Sequence, residues 1–464
     1  MIKTAAALTL LWTLSGCAST PDAFGPMQAL DQLERHAEGV WASDGYGFII
    51  DVAGATTVYN ATANICLAIE AENENPLDYF DLFRINASGT ALRFSNQFEP
   101  YEIELQSLPS LPGQCLTEAD TSPLAVFDAF TDFYATHYAF FDLHGLDWAT
   151  TTREARLGLS EDGGEGPLVE AFIGLLSQLK DGHVSISATV DGDEGQFIAH
   201  PGATMMAIEE TATGEGSPMA AFGQQYLRTD IETAILGSEG KNILNERIKY
   251  GITSDDIGYM AVMAEGGYAA GSDPTFEADA TALSIGMTEV IDAFTAAGVK
   301  AVIIDLSVNH GGYDFLSRAI AGSFTDVRVP AYTKYAYDAD SQSPYQLFVE
   351  PAPGSKYLGP VYVMTSDMTV SAGEILTLSL RALPNVTHVG APTRGAFSDV
   401  LTKYLPNGWE VTLSNEIYSD HQGVVWEGRG IEPEIAIEVF DLKAPLDGHT
   451  KAIDELIAHI DIAD

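Results

Sequence analysis

Ser371 stands in Thr369-Val370-Ser371-Ala372-Gly373-Glu374, directly after the apolar run Val361-Tyr362-Val363-Met364. The residues that follow, Ile375, Leu376, Leu378, Leu380 and Leu383, repeat at helical spacing. A hydroxyl held where a strand turns into a helix is placed for nucleophilic attack, because N–H groups at the helix start can receive the oxyanion that forms. The same spacing, Ser371 three residues before Glu374, is also a capping box, which needs no chemistry. Three other segments carry groups that could act with it. Asp181-Gly182-His183 follows a helical stretch, Asp305 to Gly312 reads as a strand entering a glycine turn, and Trp426-Glu427-Gly428-Arg429-Gly430-Ile431-Glu432-Pro433 lies near the C-terminus. An imidazole can take a serine proton near neutral pH and return it to a leaving amine. Taken singly, His183 also reads as a turn histidine, Glu427 as a loop carboxylate beside Arg429, and Gly311-Gly312 as a plain strand-to-helix turn.

In this order and context the four segments resemble the serine peptidases of the tricorn-core and carboxyl-terminal (tail-specific) processing protease superfamily. The resemblance runs from about Leu124 to the C-terminus and is strongest from Ile257 to Glu434. It implies acyl transfer in which Ser371 attacks, backbone N–H groups of Ala372, His310 and Gly311 hold the oxyanion, and no cofactor or metal takes part. In the processing proteases the base is a lysine in a Gly-Lys-Gly-like context on the strand after the nucleophile's helix. The matching segment here is Val389-Gly390-Ala391-Pro392-Thr393-Arg394-Gly395-Ala396, where Ala396 takes the lysine's place and Lys403 is out of register. The tricorn-like branch pairs serine with histidine and a glutamate, which implies His183 as base and Glu427 as its support. Two departures stand out. Gly182 replaces the serine that precedes the histidine, with Ser185 or Ser398 as substitutes, and His310 replaces the first of three consecutive glycines. The same fold also resembles the interphotoreceptor retinoid-binding proteins, so a non-catalytic binder of hydrophobic ligands or peptides is the alternative.

The elements that must position these groups are legible in the pattern. Strand Ile257 to Met263, helix Ala278 to Ala297, strand Lys300 to Leu306, helix Tyr313 to Ala321 and strand Val361 to Met364 alternate, which argues a mixed α/β core with a substantially parallel sheet over residues 256–464. A hairpin at Pro406-Asn407-Gly408 adds antiparallel strands. Residues 121–190 read as a helical subdomain: Ser122-Pro123 starts it, and Phe127, Phe130, Phe133, Tyr134 and Tyr138 form a core face. Residues 191–255 read as an irregular connection without a regular PDZ domain. Residues 23–118 read as a small antiparallel β domain whose strands include Gly47–Val52, Ala55–Tyr59, Asp81–Ile85, Ala91–Phe94 and the strictly alternating Tyr101-Glu102-Ile103-Glu104-Leu105. A binding module and a structural appendage look alike at this level.

The chain has 464 residues, enough for several cores, and 66 acidic against 22 basic residues give a formal charge of −44. Such a charge repels nucleic acid. Lys3, the apolar stretch from Thr4 to Leu14 and then Leu14-Ser15-Gly16-Cys17 read as a lipoprotein signal over residues 1–17, too short to span a bilayer. This implies lipidation at Cys17, a membrane partner through that anchor, and an outer-membrane lipoprotein facing the periplasm. Cys66 and Cys115 are then an even pair in an oxidising compartment, and a disulfide closing their loop would be worth about 4 kcal/mol.

Overall fold

The computed structural model describes residues 24–463 apart from 71–72, 212–216, 272–273 and 341–342. The signal segment and Cys17 lie outside the described residues. The first unit is an antiparallel sheet of eight strands, in the order Gln28–Ala29, Leu82–Ile85, Ala91–Asn96, Glu99–Leu108, Gly39–Ser43, Phe48–Ala53, Ala55–Ala61 and Cys66–Ala68. Its alternation decides its faces. Phe83, Phe94 and Leu105 turn inward with Trp41 and Val52, while Arg93 and Glu104 sit opposite each other on the outer face, 2.5 Å apart. Cys66 and Cys115 are disulfide-bonded with their Cα atoms 4.7 Å apart.

Helix Pro123–His137 starts at Ser122, whose side chain accepts from Ala125 N, with proline at the first position. Its aromatic face packs on Glu165–Leu176: the Phe130 and Phe172 rings stack at 4.1 Å. The chain then runs into strand Ser185–Val190, which pairs antiparallel with Glu410–Ser414 in a four-stranded sheet completed by Asp193–Ile198 and Val400–Tyr404. The helical segment is thus stitched to the core by its last strand, not merely apposed to it.

Residues 191–255 are not irregular. They hold strand Asp193–Ile198, helices Ala203–Glu210 and Pro218–Gln224, the π-helix Gln225–Ile235, and strands Lys241–Ile243 and Ile248–Ile252. The π-helix puts Tyr226 and Ile231 inward at five-residue spacing, which neither the 3.6 nor the 2.0 period reveals. The central sheet has seven strands, in the order Lys241–Ile243, Ile248–Ile252, Ile257–Val262, Ala301–Asp305, Val361–Thr365, Val386–Gly390 and Ile435–Ala436. From Ile257–Val262 onward every pairing is parallel, and its two central strands Ile257–Val262 and Ala301–Asp305 are buried on both faces and apolar up to Asp305. Helix Phe276–Ala297 covers one face through Leu283, Met287, Val290 and Phe294; the π-helix and helix His449–Ala463 cover the other.

Candidate active site

Ser371 sits between two elements that leave it little choice of conformation. Where strand Val361–Thr365 ends, Ser366 Oγ donates to Ser307 O and Thr369 Oγ1 to Leu306 O, each at 2.7 Å. Val370 N–H donates to Asn309 O at 3.1 Å, and helix Ala372–Arg381 begins two residues later. Held from both sides, Ser371 adopts φ 60° and ψ −129°. A non-glycine residue in that region costs about 1–3 kcal/mol and persists only where its surroundings over-determine it. A cap residue ordinarily has an extended backbone, so the strained corner favours the nucleophile over the plain cap. Ser371 is half-buried and lines a cavity of about 360 Å³.

Two buried glutamates hold the loop beside it. Glu374 accepts from Gly395 N–H at 2.7 Å and Ala396 N–H at 2.8 Å, and from Ser371 N–H at 3.3 Å, the return arm of a capping box. Glu427 Oε2 accepts from Phe397 N–H at 3.0 Å and Ser398 N–H at 3.3 Å. Four consecutive N–H groups are therefore clamped by two carboxyls. Burial raises Glu374 to about 7. Burial, with Asp181 and Glu374 nearby, pushes Glu427 well above the usual carboxylate range, and its Oε1 is buried without a hydrogen bond. The second role of Glu374 was hidden in the sequence by its fit to a capping box.

His183 reaches this loop from the other side. Its N–H donates to Asp181 Oδ1 at 2.8 Å, and its carbonyl accepts from Thr412 Oγ1 at 2.7 Å on the strand paired with Ser185–Val190. Ala396 is the shared neighbour: its carbonyl accepts from Ser371 N–H at 3.1 Å, and its Cβ lies 3.1 Å from where a Cβ on Gly182 would stand. A serine at position 182 would therefore press on the loop. His183 Nδ1 is buried with no partner, and no hydrogen bond joins the Ser371 and His183 side chains among the described residues. Burial lowers the His183 pKa below its ordinary 6.5 against the opposing pull of Asp181. Ser185 and Ser398 supply no relay. Ser185 Oγ bonds Thr412 Oγ1 at 2.8 Å, and Ser398 Oγ donates to Asp399 O while accepting from Glu416 N–H.

The oxyanion donors need one correction. His310 N–H donates to Met263 O at 3.2 Å and Gly311 N–H to Asn309 Oδ1 at 2.9 Å, so both are spent. Among the described residues the N–H groups of Gly312 and Ala372 have no acceptor, and Gly312 lines the same cavity as Ser371. Asn309 is itself fixed by Glu265 Oε1 at 2.8 Å and Val262 O at 3.0 Å. Burial raises Glu265 to about 8, which keeps this fully enclosed carboxyl protonated at neutral pH. The glycines here are required by space. A Cβ on Gly311 (φ 86°) would lie 2.6 Å from Ser371 Cβ, and one on Gly312 (φ 150°) 2.1 Å from Glu265 O. His310 is exposed on the loop, yet the protein packed around its ring, together with Arg394 and Arg247, lowers its pKa.

The lysines near this site were only partly foreseen. Lys403 is fully buried and donates to Tyr46 O at 2.7 Å and Gly47 O at 3.0 Å, on the β domain. Lys334, which no motif singled out, lines the Ser371 cavity and bonds Asp399, Glu416 and Tyr418.

Residues 274–437 match the model of peptidase family S41. That stretch carries Ser371, Gly312 and Glu427 but not His183. A relative, the carboxy-terminal processing protease CtpA of Bacillus subtilis (strain 168), is 26% identical over 155 residues; the match spans about a third of either protein, 33% of this chain and 32% of CtpA. Two solved structures share the fold. A candidate peptidase from Parabacteroides merdae ATCC 43184 is 23% identical with a TM-score of 0.57, over 74% of this chain and 97% of that one. Mature CPAF, solved in complex with lactacystin, is 14% identical with a TM-score of 0.53, over 74% of this chain and 99% of that one. Over residues 274–437 the chain therefore carries a match to peptidase family S41, set in an α/β fold that it shares with those two structures.

Proposed function

We propose that the protein is a serine endopeptidase that hydrolyses peptides or tail-exposed proteins by acyl transfer. The observation that carries this reading is the strained Ser371 corner, at φ 60° beside a cavity, with the unengaged N–H groups of Gly312 and Ala372 next to it. Ser371 Oγ attacks the scissile carbonyl, and those two N–H groups receive the oxyanion. His183 takes the serine proton and returns it to the leaving amine; its lowered pKa keeps it neutral and ready as a base at neutral pH. Glu427 and Glu374 act as positioning residues, since both grip the loop that separates Ser371 from Gly182-His183. The likeness to CtpA and the lipobox-like Cys17 support a bacterial envelope location with a lipid anchor, and no helix among the described residues is long and apolar enough to cross a membrane. The test is labelling with a fluorophosphonate probe. Labelling of the purified protein and none of Ser371→Ala is expected; equal labelling of both, or of neither, would remove Ser371 as the nucleophile.

A further inference from the structure

We propose that the N-terminal β domain forms one wall of the Ser371 cavity, and that this cavity takes the side chain of a lysine or arginine in the substrate peptide. The inference rests on the peptidase reading for its occupant being a substrate. Geometry comes first. Tyr46, Phe48, Glu74, Tyr79, Phe80 and Tyr101 of the β domain line the cavity, facing Ser371, Gly312, Tyr313 and Asp399 of the core. This wall is fastened, not hinged. Besides Lys403, buried Arg318 pairs with buried Glu99 at 3.0 Å, Glu74 N–H donates to Tyr404 OH at 2.9 Å, and Asn415 Nδ2 donates to Gly45 O at 2.9 Å. Rings cross the seam as well: Phe98 stacks on Phe315 at 5.2 Å and Tyr79 meets Phe276 edge-on at 5.6 Å.

The chemistry of the lining selects the occupant. Aromatic walls suit a long aliphatic stem and attract a cation over their faces. The lining carboxylates reachable from solvent are Glu74, which is exposed and has no ion pair among the described residues, and Asp399, whose side chain is 52% exposed but already pairs with Lys334 at 2.8 Å. Glu99 is committed to Arg318, and Glu416 to Lys334 and Tyr46. Among the described residues Lys334 is the single cation in the lining. An ammonium has three donors, and Lys334 spends them on Asp399 at 2.8 Å, Tyr418 OH at 3.1 Å and Glu416 at 3.3 Å. None remains for a substrate carboxylate. The cavity therefore accepts a basic side chain and repels an acidic one.

Three fluorescent peptides differing only in one central residue, arginine, leucine or glutamate, test this. Each is measured for binding to the full chain carrying Ser371→Ala, and for cleavage by the unaltered protein. The arginine peptide should bind tightest and the glutamate peptide weakest, with the arginine advantage shrinking as salt is raised. Adding Glu74→Gln should reduce the arginine-over-leucine preference by up to about fivefold, the usual limit for one exposed charge, and leave the leucine peptide unchanged. Because Glu74 is exposed, the fold has no stake in its charge. Equal binding of the three peptides, or a preference untouched by Glu74→Gln, would overturn the proposal. The two readings fail separately: ranked binding without any cleavage removes the peptidase and keeps the pocket, while cleavage without ranking removes the pocket alone.

Discussion

Lys334 and Lys403 are both buried near the seam between the β domain and the core, yet they end in opposite states. Burial pulls each toward neutrality. Around Lys334, Asp399 and Glu416 more than offset that pull and hold its pKa well above the ordinary 10.5. Around Lys403 the acceptors are neutral, Tyr46 O, Gly47 O and Asn60 Oδ1, and burial lowers it to about 7, opposed only weakly by Asp338. At equal burial the charge of the partners, not depth, decides protonation. The functional corollary is an exclusion. The lysine that lines the Ser371 cavity cannot give up its proton, and the one that can is spent on β-domain oxygens. Under the proposed mechanism, this leaves an imidazole to serve as base.

The largest test of that contrast is kinetic. His183→Gln should lose at least about a thousandfold in kcat/KM, while Lys403→Met and His310→Gly keep most of the activity on the same peptide. Abolished cleavage in Lys403→Met beside an active His183→Gln would reverse the assignment. Next comes stability. Below pH 7 both folded and unfolded chains protonate Lys403, and the folded one carries the cost of a buried charge. Between about 7 and 10.5 only the unfolded chain is protonated, so stability rises with pH there. Subtracting the denaturation curve of Lys403→Met should isolate a swing of about 5 kcal/mol in favour of the unaltered protein as pH climbs through that window.

Asp305 is the mirror case, a buried carboxylate with a charged-capable partner. Burial would raise its pKa, but His449 at 2.7 Å and donors from Ser307 and Tyr259 outweigh burial and hold it at about 2. Its contribution is therefore complete above pH 3.8 and fades as pH falls toward 2. Asp305→Asn should cost about 3–5 kcal/mol at neutral pH, read from urea midpoints; a change under 1 kcal/mol would mean that the pair contributes nothing. The smallest effect is the acid limb of kcat/KM against pH. With Asp181 and Asp399 pulling His183 up and burial and Arg394 pulling it down, the midpoint should fall below 6.5. A limb still climbing past pH 9 would point to a lysine.

The parallel core was readable because its strands are largely apolar runs and its helices keep a 3.6 period: Ile257–Val262, Phe276–Ala297, Ala301–Asp305 and Val361–Thr365 lie within two residues of their expected bounds. The placing of Ser371, His183 and Glu427 around one loop needed motifs, since 188 residues separate Ser371 from His183. Two things were out of reach. Which N–H of the Asn309-His310-Gly311-Gly312 loop stays unengaged depends on the Asn309 side chain folding back onto Gly311 N–H, a contact that leaves no periodic trace. The β domain as a cavity wall depends on pairs such as Tyr46 with Glu416, 370 residues apart, whose polar types look like ordinary surface.

The Cys66–Cys115 bond has a consequence for how the cavity responds to its surroundings. It closes a loop of 49 residues, and Glu74, Tyr79, Phe80 and Tyr101 all lie inside it, whereas Ser371, His183 and Glu427 all lie outside. On the proposed reading, a thiol-rich environment would therefore loosen the wall that selects a substrate while leaving the Ser371 corner in place.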